Sequence, residues 1–258
     1  MSKFIDKLKR LSQTAPEPMG FRPRQPATPR PKMQLVAGLA QENLDKLADF
    51  AGVADAVLLP GGQGKRSASS LAKIAQGMGE VPWGSWLEEN QTDVPGLIKA
   101  GGDFIVFSTT QDLLTVVQSN DIGKLLAVEA SLGDGLLRAV NELPVDAVLV
   151  SPKLKKEGSL TWQHLMVFQR FANALTKPLL VSVPANIASA ELKALWGAGV
   201  DCLVIEVTTQ EELKELRQTI DSLTFPLPRR KEKMEAILPR LGHEPGHVET
   251  EEEEEDED

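Results

Sequence analysis

Three ionisable side chains stand at or just beyond the ends of short apolar runs: Glu129, Lys153 and Glu206. A carboxylate and an amine in a partly dry mouth make a general acid–base pair. A desolvated Lys153 would add Schiff-base chemistry with a carbonyl substrate. The blander reading is a solvated charged loop, because Lys155, Lys156 and Glu157 follow Lys153. A second group lies in 60–67, PGGQGKRS. Its glycines let backbone N–H groups approach an anion, and its two bases add positive charge. The expected anion contacts are Gln63, Gly64, Lys65 and Arg66. This is not a P-loop: the first glycine is misplaced, and Arg66 stands where Ser or Thr is required. A plain surface loop is the competing reading.

The remaining reactive residues point away from chemistry. His164 falls inside a helical stretch, away from any run end, and reads as a surface or packing residue. Cys202 opens an apolar run and reads as a buried core thiol. His243 and His247 have helical spacing, but Pro245 and Gly246 break the helix that would align them. No metal site is expected, and no motif names a cofactor. One cysteine excludes a disulfide framework and a multi-cysteine zinc site.

These groups need a scaffold. Eight short apolar runs recur along the chain, at 34–39, 55–60, 82–87, 103–108, 124–129, 146–151, 178–183 and 201–207. They are rich in Val, Leu and Ile without strict alternation, as parallel strands covered on both faces are. Amphipathic stretches separate them, at 41–50, 69–76, 112–118, 135–142, 161–175, 189–196 and 210–223. Strand and helix alternating in this way predict a single (β/α)8 barrel with right-handed crossovers. The even runs share a start: Asp55, Asp103, Asp146 and Asp201 each stand before apolar residues. That is a weak repeat of two β/α units. It places the four carboxylates at the bottom of the barrel, where residues serve stability. The third run, with Pro82, Trp83 and Trp86, is the weakest strand. Its two tryptophans read as packing or as part of the barrel mouth.

The strand order and the run Gly199–Ile205, GVDCLVI, resemble the broad group of phosphate-binding TIM barrels, such as those of tryptophan and thiamin biosynthesis. The resemblance spans about residues 33–223. It implies a ligand site over the C-terminal strand ends, with phosphate held after strands seven and eight. Here those ends read Pro184-Ala185-Asn186-Ile187 and Glu206-Val207-Thr208-Thr209. They carry no glycine, and Glu206 would repel a phosphate.

The two ends of the chain differ from its body. Residues 1–32 carry eight Lys/Arg against Asp6 and Glu17, whereas 244–258 carry ten acids and no base. Residues 3–12 set Phe4, Ile5, Leu8 and Leu11 on one helical face, with lysines and Arg10 around it. That helix either docks on the barrel or lies on a membrane surface. Six prolines in 15–32 predict an extended arm. A final helix over 229–238 is expected to pack outside the barrel, and the acidic tail is expected to be disordered. The organisation predicted is therefore a basic helix and Pro-rich arm in 1–32, a barrel with its final helix in 33–240, and an acidic tail in 241–258.

Charged residues make up 25% of the chain and apolar residues 41%, which excludes a wholly disordered chain. No apolar run is long enough to span a membrane. The net charge of −9 and the absence of tyrosine argue against nucleic acid as a partner. The lone cysteine and the missing signal sequence point to the cytoplasm. Two functions fit: a barrel that binds or transforms a small anionic metabolite at its C-terminal strand ends, or a non-catalytic barrel that serves as an interaction or scaffold protein through its charged termini. The sequence does not choose between enzyme and scaffold.

Overall fold

A computed structural model describes residues 2–12, 32–40, 47–61, 68–88, 94–117, 119, 121–151, 160–207 and 209–225. The arm over 13–31, the loop over 62–67, Lys153 and everything after residue 225 lie outside the described residues. So do the expected final helix, the acidic tail, and His243 and His247.

Eight parallel strands close into a barrel in sequence order. They are β1 (Gln34–Leu39), β2 (Ala56–Leu59), β3 (Trp83–Trp86), β4 (Phe104–Ser108), β5 (Gly123–Glu129), β6 (Ala147–Ser151), β7 (Leu179–Val183) and β8 (Cys202–Val207). Each falls within a residue or two of an apolar run. β8 closes on β1 through six register pairs, from Gln34–Cys202 to Leu39–Val207. An N-terminal helix α1 (Lys3–Ser12) precedes the barrel. The helices α2 (Leu47–Ala51), α3 (Ala68–Met78), α4 (Val94–Lys99), α5 (Leu113–Val117), α6 (Asp134–Ala139), α7 (Trp162–Ala174), α8 (Ser189–Gly197) and α9 (Gln210–Ser222) follow the strands in turn. Of the helices that follow strands, α4 has no counterpart among the seven amphipathic stretches read from sequence. Pro95 sits in the first turn, where a missing N–H costs nothing.

Side chains on a strand alternate between two faces. Here both faces are buried, which is why the runs lack polar alternation. Leu35, Val57, Ile105, Leu126, Val148, Val181 and Leu203 point outward into the layer beneath the helices. Val36, Leu58, Val106, Leu125, Leu149, Leu180 and Val204 point inward and fill the barrel. The weak third run is a real strand whose tryptophans divide by this parity. Trp83 packs outward, while Trp86 packs against the inner cluster.

The bottom of the barrel is sealed by α1. Phe4, Ile5 and Leu8 are buried with the inward strand residues, and Phe4 lies 4.9 Å from the Phe104 ring. The membrane-surface reading of this helix therefore gives way to docking, because its apolar face is already covered. Leu11 stays only half-buried. Two glycines make room. A Cβ on Gly84 would sit 2.4 Å from the Phe104 ring, and one on Gly123 would sit 2.7 Å from Ile5. Approaches this close admit no side chain.

The four repeated aspartates organise the same end. Asp55, Asp146 and Asp201 accept the backbone N–H of Leu35, Lys124 and Leu179, at 3.0, 3.0 and 2.8 Å. Each of these pairs stitches an even strand to the odd strand before it. Asp103 departs from the pattern and turns to α1. It accepts Ser2 Oγ and the N–H groups of Lys3 and Phe4, at 2.7, 2.7 and 2.9 Å. Ser2 Oγ in turn accepts Ile5 N–H, so the first turn of α1 is fully capped. Lys9 reaches Asp146 at 2.8 Å. Arg217 bridges Asp55 and Asp221, and Lys32 adds a second contact to Asp221.

Candidate functional site

The inward parity of each strand, followed to its C-terminal end, changes character. Below, the inward residues are apolar. At the top they become Ser108 on β4, Glu129 on β5, Ser151 on β6, Ser182 on β7 and Glu206 on β8. Trp86 on β3 joins them with its indole half-buried. Glu129, Ser151 and Glu206 are exposed, although two positions below them on the same face Ala127 is partly buried and Leu149 and Val204 are buried. Among the described residues, the inward positions at the top are therefore largely polar, in contrast to the plugged bottom.

Register brings several of these groups side by side. Glu129 pairs with Ser151 across β5 and β6. Val150 pairs with Val181, so Ser151 and Ser182 are the next residues on adjacent strands. Ser182 pairs with Val204, two residues below Glu206. Glu206 faces Gly38, which leaves the β1 side of the mouth without a side chain. The result is an arc of carboxylate, hydroxyl, hydroxyl and carboxylate along β5 to β8.

Local contacts hold this arc. Ser131 Oγ donates to Glu129 at 3.0 Å. Behind the β5–α6 loop, Arg170 of α7 donates to the carbonyls of Ala130 and Leu132, at 2.9 and 3.0 Å. It also lies 3.6 Å from Asp134. On the other side, Ser108 and Thr110 hydroxyls bond at 2.7 Å. A planar guanidinium that ties two carbonyls fixes a loop more firmly than a flexible amine does.

Of the residues singled out from sequence, Glu129 and Glu206 stand in the mouth. Lys153 lies outside the described residues, as do Gln63, Gly64, Lys65 and Arg66. Gly61, at the edge of that loop, is close enough to Glu88 that a Cβ would meet its side chain at 2.6 Å. Trp86 stands at the mouth, one of its two expected places, whereas Ser182, Ser151 and Ser108 carry no expected role in the site. Counting by twos along each strand from a buried residue would have found them. His164 is not part of the mouth. Its N–H donates to Thr161 Oγ1 at 3.3 Å, and its Nδ1 accepts Thr161 N–H at 3.1 Å, which caps α7. Cys202 is buried at the bottom of the barrel. Burial, then the nearby Asp55 and Asp201, pushes its thiol well above the usual range. That is the state of an inert thiol. Among the described residues, no group of three His, Cys, Asp or Glu is placed to hold a metal. None of the described helices is long and apolar enough to cross a membrane.

No family model matches the sequence, and no curated protein matches it. Solved structures do. A mutant tryptophan synthase alpha-subunit from the hyperthermophile Pyrococcus furiosus superposes with a TM-score of 0.58 at 12% identity. The match covers 74% of this chain and 97% of that one. A tryptophan synthase complex from the same organism gives 0.57 at 11% identity, with the same coverage. At such identities the likeness establishes the fold, a TIM barrel.

Proposed function

We propose that this barrel binds a small anionic metabolite in its mouth. The observation that carries the reading is the switch of the inward face from apolar to polar at the strand ends. Packing alone gives no reason for Glu129, Ser151, Ser182 and Glu206 to follow a continuous apolar lining. In barrels of this kind ligands sit at that end. Glu129 and Glu206 would accept hydrogen bonds from hydroxyl or amino groups of the ligand, with the serines filling the arc between them. Its anionic end would go to Lys153 and to the loop carrying Gln63, Gly64, Lys65 and Arg66. Glu129, Lys153 and Glu206 would then form the acid–base set if the ligand is turned over. The alternative, a scaffold that works through its charged termini, is weaker at the N-terminus, where the apolar face of α1 is already spent on the barrel.

A thermal-shift screen of the full chain against phosphorylated sugars, carboxylates and nucleotides tests this. A ligand at 100 times its Kd adds about 2.7 kcal/mol, a shift of several degrees. Glu129→Gln and Glu206→Gln should each shrink that shift, and Lys153→Ala should shrink it for the charged ligands. A screen that stabilises nothing would overturn the reading. So would a ligand that stabilises the Glu129→Gln/Glu206→Gln double variant as much as the parent.

A further inference from the structure

We infer that segment 229–238 of this chain docks in a groove on the outer wall of the barrel, formed by α6, α7 and α8. The groove has a volume of about 1000 Å³. Trp162 and Met166, one turn apart on α7, stand in it at 82% and 71% exposure. Ala194 and Gly197 of α8, with its C-cap Ala198, form a low wall beside them. A single exposed apolar residue needs no explanation, whereas two side by side in one groove offer a small apolar patch for a helix face to cover.

The path of the chain points to the occupant. After α9 the backbone crosses toward α8, where Phe225 is buried against Trp196 with ring centroids 5.0 Å apart. Trp196 precedes Gly197, a groove residue. The described chain thus ends on α8, at a residue whose packing partner is the sequence neighbour of groove-lining Gly197. The next residues include Pro226 and Pro228, which favour an extended backbone. At ~3.3 Å per residue, the three linking residues 226–228 reach up to ~10 Å, about the width of one helix.

The sequence of the segment fits the surface. Met234, Ile237 and Leu238 are spaced i, i+3, i+4, one helical face. A helix this short is marginal alone in water and needs a surface to pack on. Arg229, Arg230, Lys231 and Lys233 come first and would meet the lower end of the groove. There Glu142 stands with the C-terminal ends of α7 and α8, which carry partial negative charge. The covalent tether supplies an effective concentration near ~1 mM, so even weak docking within one chain outcompetes the same contact between chains.

The test uses the full chain carrying Met166→Cys and Leu238→Cys, treated with a short bis-maleimide. Native Cys202 is fully buried and stays silent. The expected product is an intrachain crosslink. Adding Met234→Asp and Ile237→Asp should slow it by about tenfold at unchanged tether length. Pairing Leu238→Cys with Leu114→Cys, on exposed α5 two helices away, should be slow from the start. The inference is overturned if the aspartates leave the rate unchanged, if position 114 links as fast as position 166, or if the product joins two chains. It does not depend on the mouth; a failed ligand screen leaves it standing.

Discussion

The two ends of the barrel are built from the same strands and do opposite work. At the bottom, α1 drives Phe4, Ile5 and Leu8 into the inner core, and four aspartates hold backbone N–H groups at fixed positions. At the top, the inward positions are carboxylates and hydroxyls that face solvent. One end spends its polar groups on satisfying the backbone. The other turns its carboxylates to solvent. Backbone-satisfying and solvent-facing polar groups are thereby separated along the barrel axis.

That separation can be broken at several points. The largest effect is expected at the plug. Phe4 is fully buried against Phe104, so Phe4→Ala should cost about 3–5 kcal/mol, read as a lower denaturation midpoint in urea. Next is the cap. Asp103→Ala removes the acceptor for three donors and should cost about 1–2 kcal/mol, with faster hydrogen exchange confined first to α1. A loss spread evenly over the barrel would mean that α1 is not a separable plug.

A smaller effect should appear with acid. The Lys32 ammonium and then the Arg217 guanidinium hold the Asp221 carboxyl below its ordinary 3.8. A carboxyl lowered on folding stabilises the protein above its unfolded pKa, and that contribution fades as the pH falls through its folded pKa. The group is largely solvated, so the effect is modest. Asp221→Asn should be slightly less stable than the parent at neutral pH and should converge with it below about pH 3. Melting curves across pH 2–7 check this.

The smallest effect on stability is expected at the mouth. Glu129→Gln and Glu206→Gln should each stay within about 0.5 kcal/mol of the parent, because both side chains are exposed. If either variant instead loses as much as the cap variant, the top is structural and the contrast between the two ends fails.

Much of the architecture could be read without coordinates. Eight Val/Leu/Ile-rich runs at regular spacing leave little choice but a closed parallel barrel, because a strand buried on both faces cannot afford polar residues. The repeated Asp before even runs marked the bottom correctly, since a carboxylate there can reach the neighbouring strand's first N–H. Glu129 and Glu206 were visible as run ends. Ser182 was not, because a serine inside an apolar run looks like tolerated packing until its parity is known.

The sequence by itself determined the eight-fold repeat, the strand positions and the amphipathic character of residues 3–12. These depend on local spacing and side-chain type, which a linear chain already contains. Only the tertiary structure decided that α1 plugs the barrel, that Asp103 breaks from its three counterparts to cap it, and that Trp83 and Trp86 face opposite ways. Those outcomes depend on closure. Residues a hundred positions apart, such as Phe4 and Phe104, become neighbours only when the last strand meets the first and the barrel encloses a space to fill.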